Sequence, residues 1–218
     1  IEQLGLMALE IPTDPQSGID LGLLEEALFN STWRRNRVAA CLLNPSFHNP
    51  LGFDMPPARK QELVELLAAQ QIPVIEDDIY GDLHFGTTRP VPLKRFDSQG
   101  LVLYCSSFSK TLAPDFRVGW IMPGKYHEQI ARLQFNSSIA RSKLPQLIVA
   151  DFLENEHFDR HLHRTVGDDM AHAVVTVDHS GSVAVADHFE VRVDELDAFL
   201  DAIVINRLQA ADAVRIDA

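Results

Sequence analysis

Within twelve residues the chain carries the hydroxyls Ser106, Ser107 and Ser109, the amine of Lys110 and, seven residues beyond it, the guanidinium of Arg117. They follow the apolar run Leu101-Val102-Leu103-Tyr104-Cys105. Hydroxyls and an arginine fork bind a phosphate, and a lysine beside them can form a Schiff base with an aldehyde. The stretch therefore suits a phosphorylated aldehyde cofactor. A Ser-rich turn with a lysine is common, so the stretch gains weight only from what stands upstream.

Two upstream segments also end apolar runs. Asn44-Pro45-Ser46-Phe47-His48-Asn49-Pro50-Leu51-Gly52 sets two Asn-Pro pairs around a short loop. It reads as a double turn, or as a loop whose prolines hold Asn49 rigid so that its amide can donate to a cofactor oxygen. Asp77-Asp78-Ile79-Tyr80 follows the run at 72–75. Its first carboxylate can pair with a protonated ring nitrogen, and Tyr80 can donate to a phenolic oxygen. A helix cap or a metal-binding acid pair is the alternative at this point.

The elements that position these residues alternate between strand and helix. Strands are expected at 6–11, 38–43, 72–75, 101–105 and 118–122, all apolar runs of the buried type. Helices are expected from a cap at Asp20 to Phe29, and from Pro56-Pro57 to about Gln70 with Leu63, Leu66 and Leu67 inward. Two more should run over 126–137 and 143–154. Buried strands alternating with helices imply an α/β layered sheet, in which ligands collect beyond the strand ends. All three polar segments take that position. The phosphate-loop, dinucleotide, serine-hydrolase and paired C-x-x-C patterns are absent from the sequence.

Composition bounds the function. The 218 residues carry a net charge of −12, which argues against a nucleic-acid surface in this segment. The apolar runs are too short for a membrane-spanning helix, and no signal peptide is read at the start. Cys41 and Cys105 sit in apolar runs, as reduced thiols of a cytoplasmic protein would. The first residue is Ile, so the chain is expected to begin inside a longer gene product. From Thr165 onward there are eleven acidic residues against three arginines, and Lys, Pro, Cys, Trp and Tyr are missing. Residues 1–164 are therefore expected to form one domain, and 165–218 a divergent acidic tail of uncertain fold: its composition suits a frameshifted or otherwise altered end, and as an ordinary α/β tail it would carry an amphipathic helix over 191–208.

In order, spacing and strand context the three segments resemble the fold-type I, class I/II aminotransferases that use pyridoxal 5′-phosphate. The resemblance covers residues 1–164 and implies a partial large domain, a mixed, mostly parallel sheet flanked by helices. It implies that Lys110 is the catalytic Schiff-base lysine and that Asp77 pairs with the pyridinium nitrogen. Asn49 and Tyr80 would hold the cofactor's 3′-oxygen, and Ser107, Ser109 and Arg117 its phosphate; Asp78 matches no cofactor contact.

The wording Asn-Pro-Leu-Gly-Phe, Ile-Glu-Asp-Asp-Ile-Tyr and Ser-Ser-Phe-Ser-Lys-Thr-Leu-Ala-Pro-Asp-Phe-Arg-Val-Gly-Trp is most similar to the MocR-type branch. Those GntR-family regulators fuse a winged-helix DNA-binding domain to an aminotransferase-like domain. The resemblance thus implies transamination of an amino acid with a 2-oxo acid. Its alternatives are a cofactor-sensing effector domain, with DNA binding supplied by a winged helix ahead of Ile1, and an inactive truncated fragment. A homodimer is implied as well. The family's Gly-rich phosphate loop, its ring-stacking aromatic residue and its small domain have no counterpart in this sequence. His157, His161 and His163 then belong to a linker helix rather than a metal site, His48 shapes the cofactor loop, and Trp120 packs in the core.

Overall fold

The computed structural model describes residues 4–29, 38–138, 140–155 and 157–166, together with four strands of the tail. The first strand, β1 (Leu6–Glu10), leads into a small hairpin of β2 (Thr13–Asp14) and β3 (Gly18–Ile19). Asp14 Oδ1 accepts the backbone N–H groups of Gln16 and Ser17 and closes that turn. Helix α1 (Leu21–Phe29) starts where expected, because Asp20 Oδ1 accepts the N–H groups of Gly22 and Leu23 at 2.9 and 3.0 Å.

Three strands carry the centre of the molecule: β4 (Val38–Leu43), β5 (Val74–Asp77) and β6 (Val102–Ser107). They run parallel, with Cys41 beside Val74 and Val74 beside Val102. Strand β7 (Gly119–Met122) turns back antiparallel on β6. On the other flank, β11 (Ala202–Asn206) lies antiparallel between β4 and β1. The sheet order is β1-β11-β4-β5-β6-β7, with four of six strands pointing one way. The apolar runs are where the strands are because both faces of the central strands are covered. Leu24, Leu28, Cys41, Leu43, Leu63, Leu67, Val74 and Val102 form the core between the sheet and its helices.

Helix α2 (Pro57–Ala69) has Pro at its first position, where the missing N–H costs nothing. It buries Leu63, Val64 and Leu67, and also Lys60, whose ammonium is fully enclosed. After β7 come α3 (His127–Ser138), α4 (Lys143–Glu154) and α5 (His157–Arg164). Of these, α3 buries no residue and α4 only Val149, leaving Phe135, Leu144 and Leu147 exposed. On α5, His157 and His161 pack against Phe152 of α4.

The tail also forms a small sheet of β8 (Val175–Val177), β9 (Val183–Val185) and β10 (Phe189–Val191). The helix expected over 191–208 is corrected by β10 and β11; its remaining residues lie outside the described ones. Ile203, Val204 and Ile205 are β-branched, and pairing on both sides outweighs a helical reading of the periodicity. Trp120 is also not a core residue: it stands on β7, 42% exposed, with one face against Tyr104.

Candidate active site

The parallel strands β4, β5 and β6 end on one edge of the sheet, and each ends in one of the polar segments singled out above. The loop after β4 is held by its own backbone and by α2. His48 N–H donates to the Phe53 carbonyl at 2.8 Å, and Met55 N–H to the Pro45 carbonyl at 2.9 Å. His48 itself is buried and stacked on Phe53, so it shapes the loop, and burial lowers its pKa. Lys60 Nζ enters from α2 and donates to Ser46 Oγ at 2.9 Å, to Asp54 Oδ1 at 2.7 Å and to the Val91 carbonyl at 2.9 Å. That buried ammonium ties the loop carrying Asn49 to the helix and to the segment beyond β5.

Asn49 is half-buried, and its side-chain amide is hydrogen-bonded to the Tyr80 hydroxyl. Burial, and the nearby carboxylate of Asp77, raise the Tyr80 pKa, while the Asn49 bond opposes that rise. Asp77 closes β5, half-buried, with its pKa raised chiefly by burial and secondly by Asp78. A carboxylate in that setting gains from a cation placed against it. The next carboxylate behaves differently. Asp78 is buried and faces away, receiving Arg89 Nη2 at 2.8 Å and the Tyr104 hydroxyl at 2.6 Å, both on Oδ2.

Glu76 points into the core on the other face of β5 and is fully buried. It accepts the N–H groups of Leu93 and Lys94 at 2.6 and 2.9 Å, so it caps the short 3-10 helix Leu93–Phe96. Burial pushes its carboxyl up to about 7.

The third segment is more open. Ser107 ends β6 opposite Gly119 of β7, and its Oγ accepts the Ser109 N–H at 3.4 Å. A Cβ at Gly119 would sit 3.0 Å from the Ser106 carbonyl oxygen and 3.2 Å from Ser107 Cβ, so glycine lets the two strand ends close. Leu112 and Ala113 N–H groups both return to the Phe108 carbonyl, which sets Lys110 on a tight turn. Lys110 is exposed, with Nζ 6.0 Å from the centre of the Tyr80 ring. Among the described residues it has no carboxylate partner.

Arg117 is exposed, in the left-handed region at φ 51°, and Nη1 reaches the Pro114 carbonyl at 3.5 Å. A non-glycine residue held there carries strain of about 1 kcal/mol.

Asn49, Asp77, Tyr80 and Lys110 are thus brought together across two strand ends and a turn. Ser107 and Ser109 stand at the start of that turn; Arg117 is on the same β6–β7 connection, bonded to its own turn rather than to the serines. The donor set fits pyridoxal phosphate at both ends: a half-buried carboxylate for a ring cation, and hydroxyl, amine and guanidinium groups with few bonds of their own for the aldehyde and phosphate. Sequence reasoning missed Lys60, Glu76, Arg89 and Tyr104. Lys60 did leave a signal, standing three, four and seven residues before Leu63, Val64 and Leu67 on the apolar stripe of α2.

Similar proteins identify the family. Residues 3–174 match the family model for aminotransferase class I and II. The HTH-type transcriptional regulator YdcR of Escherichia coli (strain K12) is 44% identical over 164 residues, 75% of this chain and 34% of that protein. The chain therefore spans about a third of the length of that relative.

Among solved structures, the kynurenine aminotransferase of Pyrococcus horikoshii, in complex with PMP, is 27% identical with a TM-score of 0.67. The match covers 72% of this chain and 39% of that one. The α-aminoadipate aminotransferase LysN of Thermus thermophilus, complexed with N-(5′-phosphopyridoxyl)-L-leucine, is 31% identical with a TM-score of 0.64, over 72% of this chain and 40% of that one. The relatives are regulators and the structural neighbours enzymes, as the resemblance to the regulator branch led one to expect, and with the matched span they show that the chain belongs to the class I and II aminotransferase family.

Proposed function

We propose that this chain is the cofactor-holding core of a pyridoxal 5′-phosphate-dependent domain that exchanges an amino group between an amino acid and a 2-oxo acid. The observation that supports it most is the convergence of Asn49, Asp77, Tyr80 and Lys110 at adjacent strand ends. Pyridoxal phosphate, when bound, supplies the electron sink for a carbanion at the substrate's α-carbon. Asp77 holds a proton on the ring nitrogen. Asn49 and Tyr80 bind the phenolic oxygen and set the proton affinity next to it. Ser107, Ser109 and Arg117 would hold the phosphate, and Lys110 Nζ would lie at the aldehyde. With its amine free, Lys110 Nζ would take a proton from the substrate's α-carbon.

A second reading keeps the same site and changes its use. Relatives named as HTH-type transcriptional regulators favour a sensor, in which occupancy of the site governs an attached DNA-binding part. In either reading residues 1–164 form the domain and 165–218 a tail that adds β11 to its sheet, the domain works as a cytoplasmic homodimer, and the chain, with a net charge of −12, leaves DNA contact to other segments. Among the described residues no helix is long and apolar enough to cross a membrane.

One experiment tests the shared core. The chain is incubated with pyridoxal phosphate and reduced with borohydride, and its peptides are weighed. Cofactor mass on Lys110, absent from Lys110→Ala, is expected; no adduct at Lys110 under any reconstitution overturns both readings. Half-reaction with a panel of amino acids then separates them, since an enzyme releases 2-oxo acid and a sensor does not.

A further inference from the structure

Arg89 belongs to none of the segments that carry the chemistry, yet its guanidinium spans the turn that presents Tyr80. Nη2 donates to Asp78 Oδ2 at 2.8 Å, two residues before Tyr80, and Nε donates to Asp82 Oδ1 at 2.6 Å, two residues after it. Nη2 also donates to the Tyr104 hydroxyl at 2.8 Å, and that hydroxyl donates to Asp78. The backbone of Asp78 is clamped as well: its N–H reaches the Cys105 carbonyl at 2.9 Å, and its carbonyl accepts Ser106 Oγ at 3.0 Å. The turn closes with Leu83 N–H on the Tyr80 carbonyl at 2.8 Å.

The strap needs a glycine beneath it. A Cβ at Gly81 would collide with Asp78 Oδ1 and stand 2.7 Å from Arg89 Nη2. Asp78 is buried, and its side chain is fully enclosed in the Arg89 pair. A planar fork can bridge two carboxylates at once, where a lysine offers a single charged point.

We propose that Arg89 is a positioning residue: by bridging Asp78 and Asp82 over Gly81 it fixes the Tyr80 hydroxyl against Asn49, and so sets how strongly Tyr80 binds the cofactor's phenolic oxygen. The first half of this concerns the chain alone; the second rests on the cofactor reading above.

The test therefore has two arms on the full chain. In the first, without cofactor, tyrosine labelled with 13C at Cζ reports Tyr80 by NMR. Arg89→Gln and Gly81→Ala are expected to move the Tyr80 resonance towards that of free tyrosine. Arg89→Lys, which keeps the charge and folds if the charge alone matters for folding, should move it about half as far. An unmoved Tyr80 resonance in folded Arg89→Lys and Gly81→Ala overturns the proposal.

In the second arm, the cofactor-loaded chain is titrated by visible absorbance. Losing a donor on the phenolic oxygen raises the proton affinity of the lysine-bound cofactor. Tyr80→Phe is expected to move the titration up by about one pH unit. Arg89→Gln should move it in the same sense, and Tyr80→Phe/Arg89→Gln no further than Tyr80→Phe alone. Additive shifts overturn the route through Tyr80. A chain that takes no cofactor at all, yet shows the Tyr80 shift in the first arm, sinks the cofactor reading and leaves Arg89's hold on Tyr80 standing.

Discussion

The two halves of the candidate site are built on opposite principles. Asn49, Asp77 and Tyr80 stand on strand ends and loops anchored by ionisable side chains: buried Lys60 under the first loop, buried Glu76 in the strand, and buried Asp78 with the partly exposed Arg89 at the turn. Ser109, Lys110 and Arg117 stand on a connection whose side chains form few bonds and face solvent. The first half is organised by the protein before anything binds. In the second, protein geometry supplies hydroxyl, amine and guanidinium groups with few bonds of their own. Substitutions in the first half should therefore cost stability, and those in the second should cost ligand binding alone.

Lys60→Met gives the largest expected break in that contrast. Its removal strands a partly exposed carboxylate, a buried hydroxyl and a carbonyl. Breaking a buried pair costs about 3–5 kcal/mol, and the lower figure is expected here because water can reach Asp54, whose side chain is 34% exposed. Urea denaturation measures it. Lys110→Ala, in the open half, should stay within about 0.5 kcal/mol of the parent in the same experiment. Comparable losses at both positions would erase the distinction.

Glu76→Gln tests the buried half through pH. Burial lifts the folded carboxyl to about 7 from an ordinary value of 4.5, against the pull of the Leu93 and Lys94 N–H groups. The native chain therefore binds this proton more tightly than the unfolded chain does. The stability so gained is complete below about pH 4.5, falls as pH rises towards 7, and is flat above. Gln cannot titrate, so the parent's stability relative to Glu76→Gln should fall across that window by on the order of 3 kcal/mol. A difference that does not change with pH would place the proton elsewhere.

These contrasts also explain what could be read from the sequence. Strands β1, β4, β5, β6 and β7, helix α2, helix α4 and the three polar segments were legible because each is a local pattern: an apolar run, a cap or a motif at fixed spacing. The anchors were not. In sequence, Lys60, Glu76 and Arg89 look like surface charges, and their partners are set by folding: Ser46 lies 14 residues from Lys60, Leu93 17 from Glu76, and Asp78 11 from Arg89. Asp78 looked like a spare carboxylate beside Asp77, and the structure gives it an occupation of its own. The tail misled for another reason. Periodicity suggested a helix in a stretch where β11 gains pairing on two sides, a tertiary gain that no local window contains.

Arg117 offers the smallest effect and the sharpest view of the open half. Its side chain touches one carbonyl at 3.5 Å, at the outer limit of a hydrogen bond, while its backbone stands at φ 51°. The fold thus gains little from the guanidinium and carries the strain of the left-handed conformation. Arg117→Gly should relieve that strain, and the loss of chain entropy on fixing a glycine offsets part of the gain. The balance is a stabilisation of roughly 0.5 kcal/mol. In the proposed site the same substitution removes the arginine's charge-assisted bond to phosphate, so affinity for pyridoxal phosphate should fall roughly ten- to a hundredfold. Thermal or urea unfolding of the free chain, set beside cofactor titration, reads both numbers. A residue that weakens the fold and is kept for a ligand is a stability–function trade. If Arg117→Gly instead destabilises the free chain by 1 kcal/mol or more, roughly the size of the strain itself, the arginine holds its turn as a structural residue, and the phosphate half of the site must be sought elsewhere.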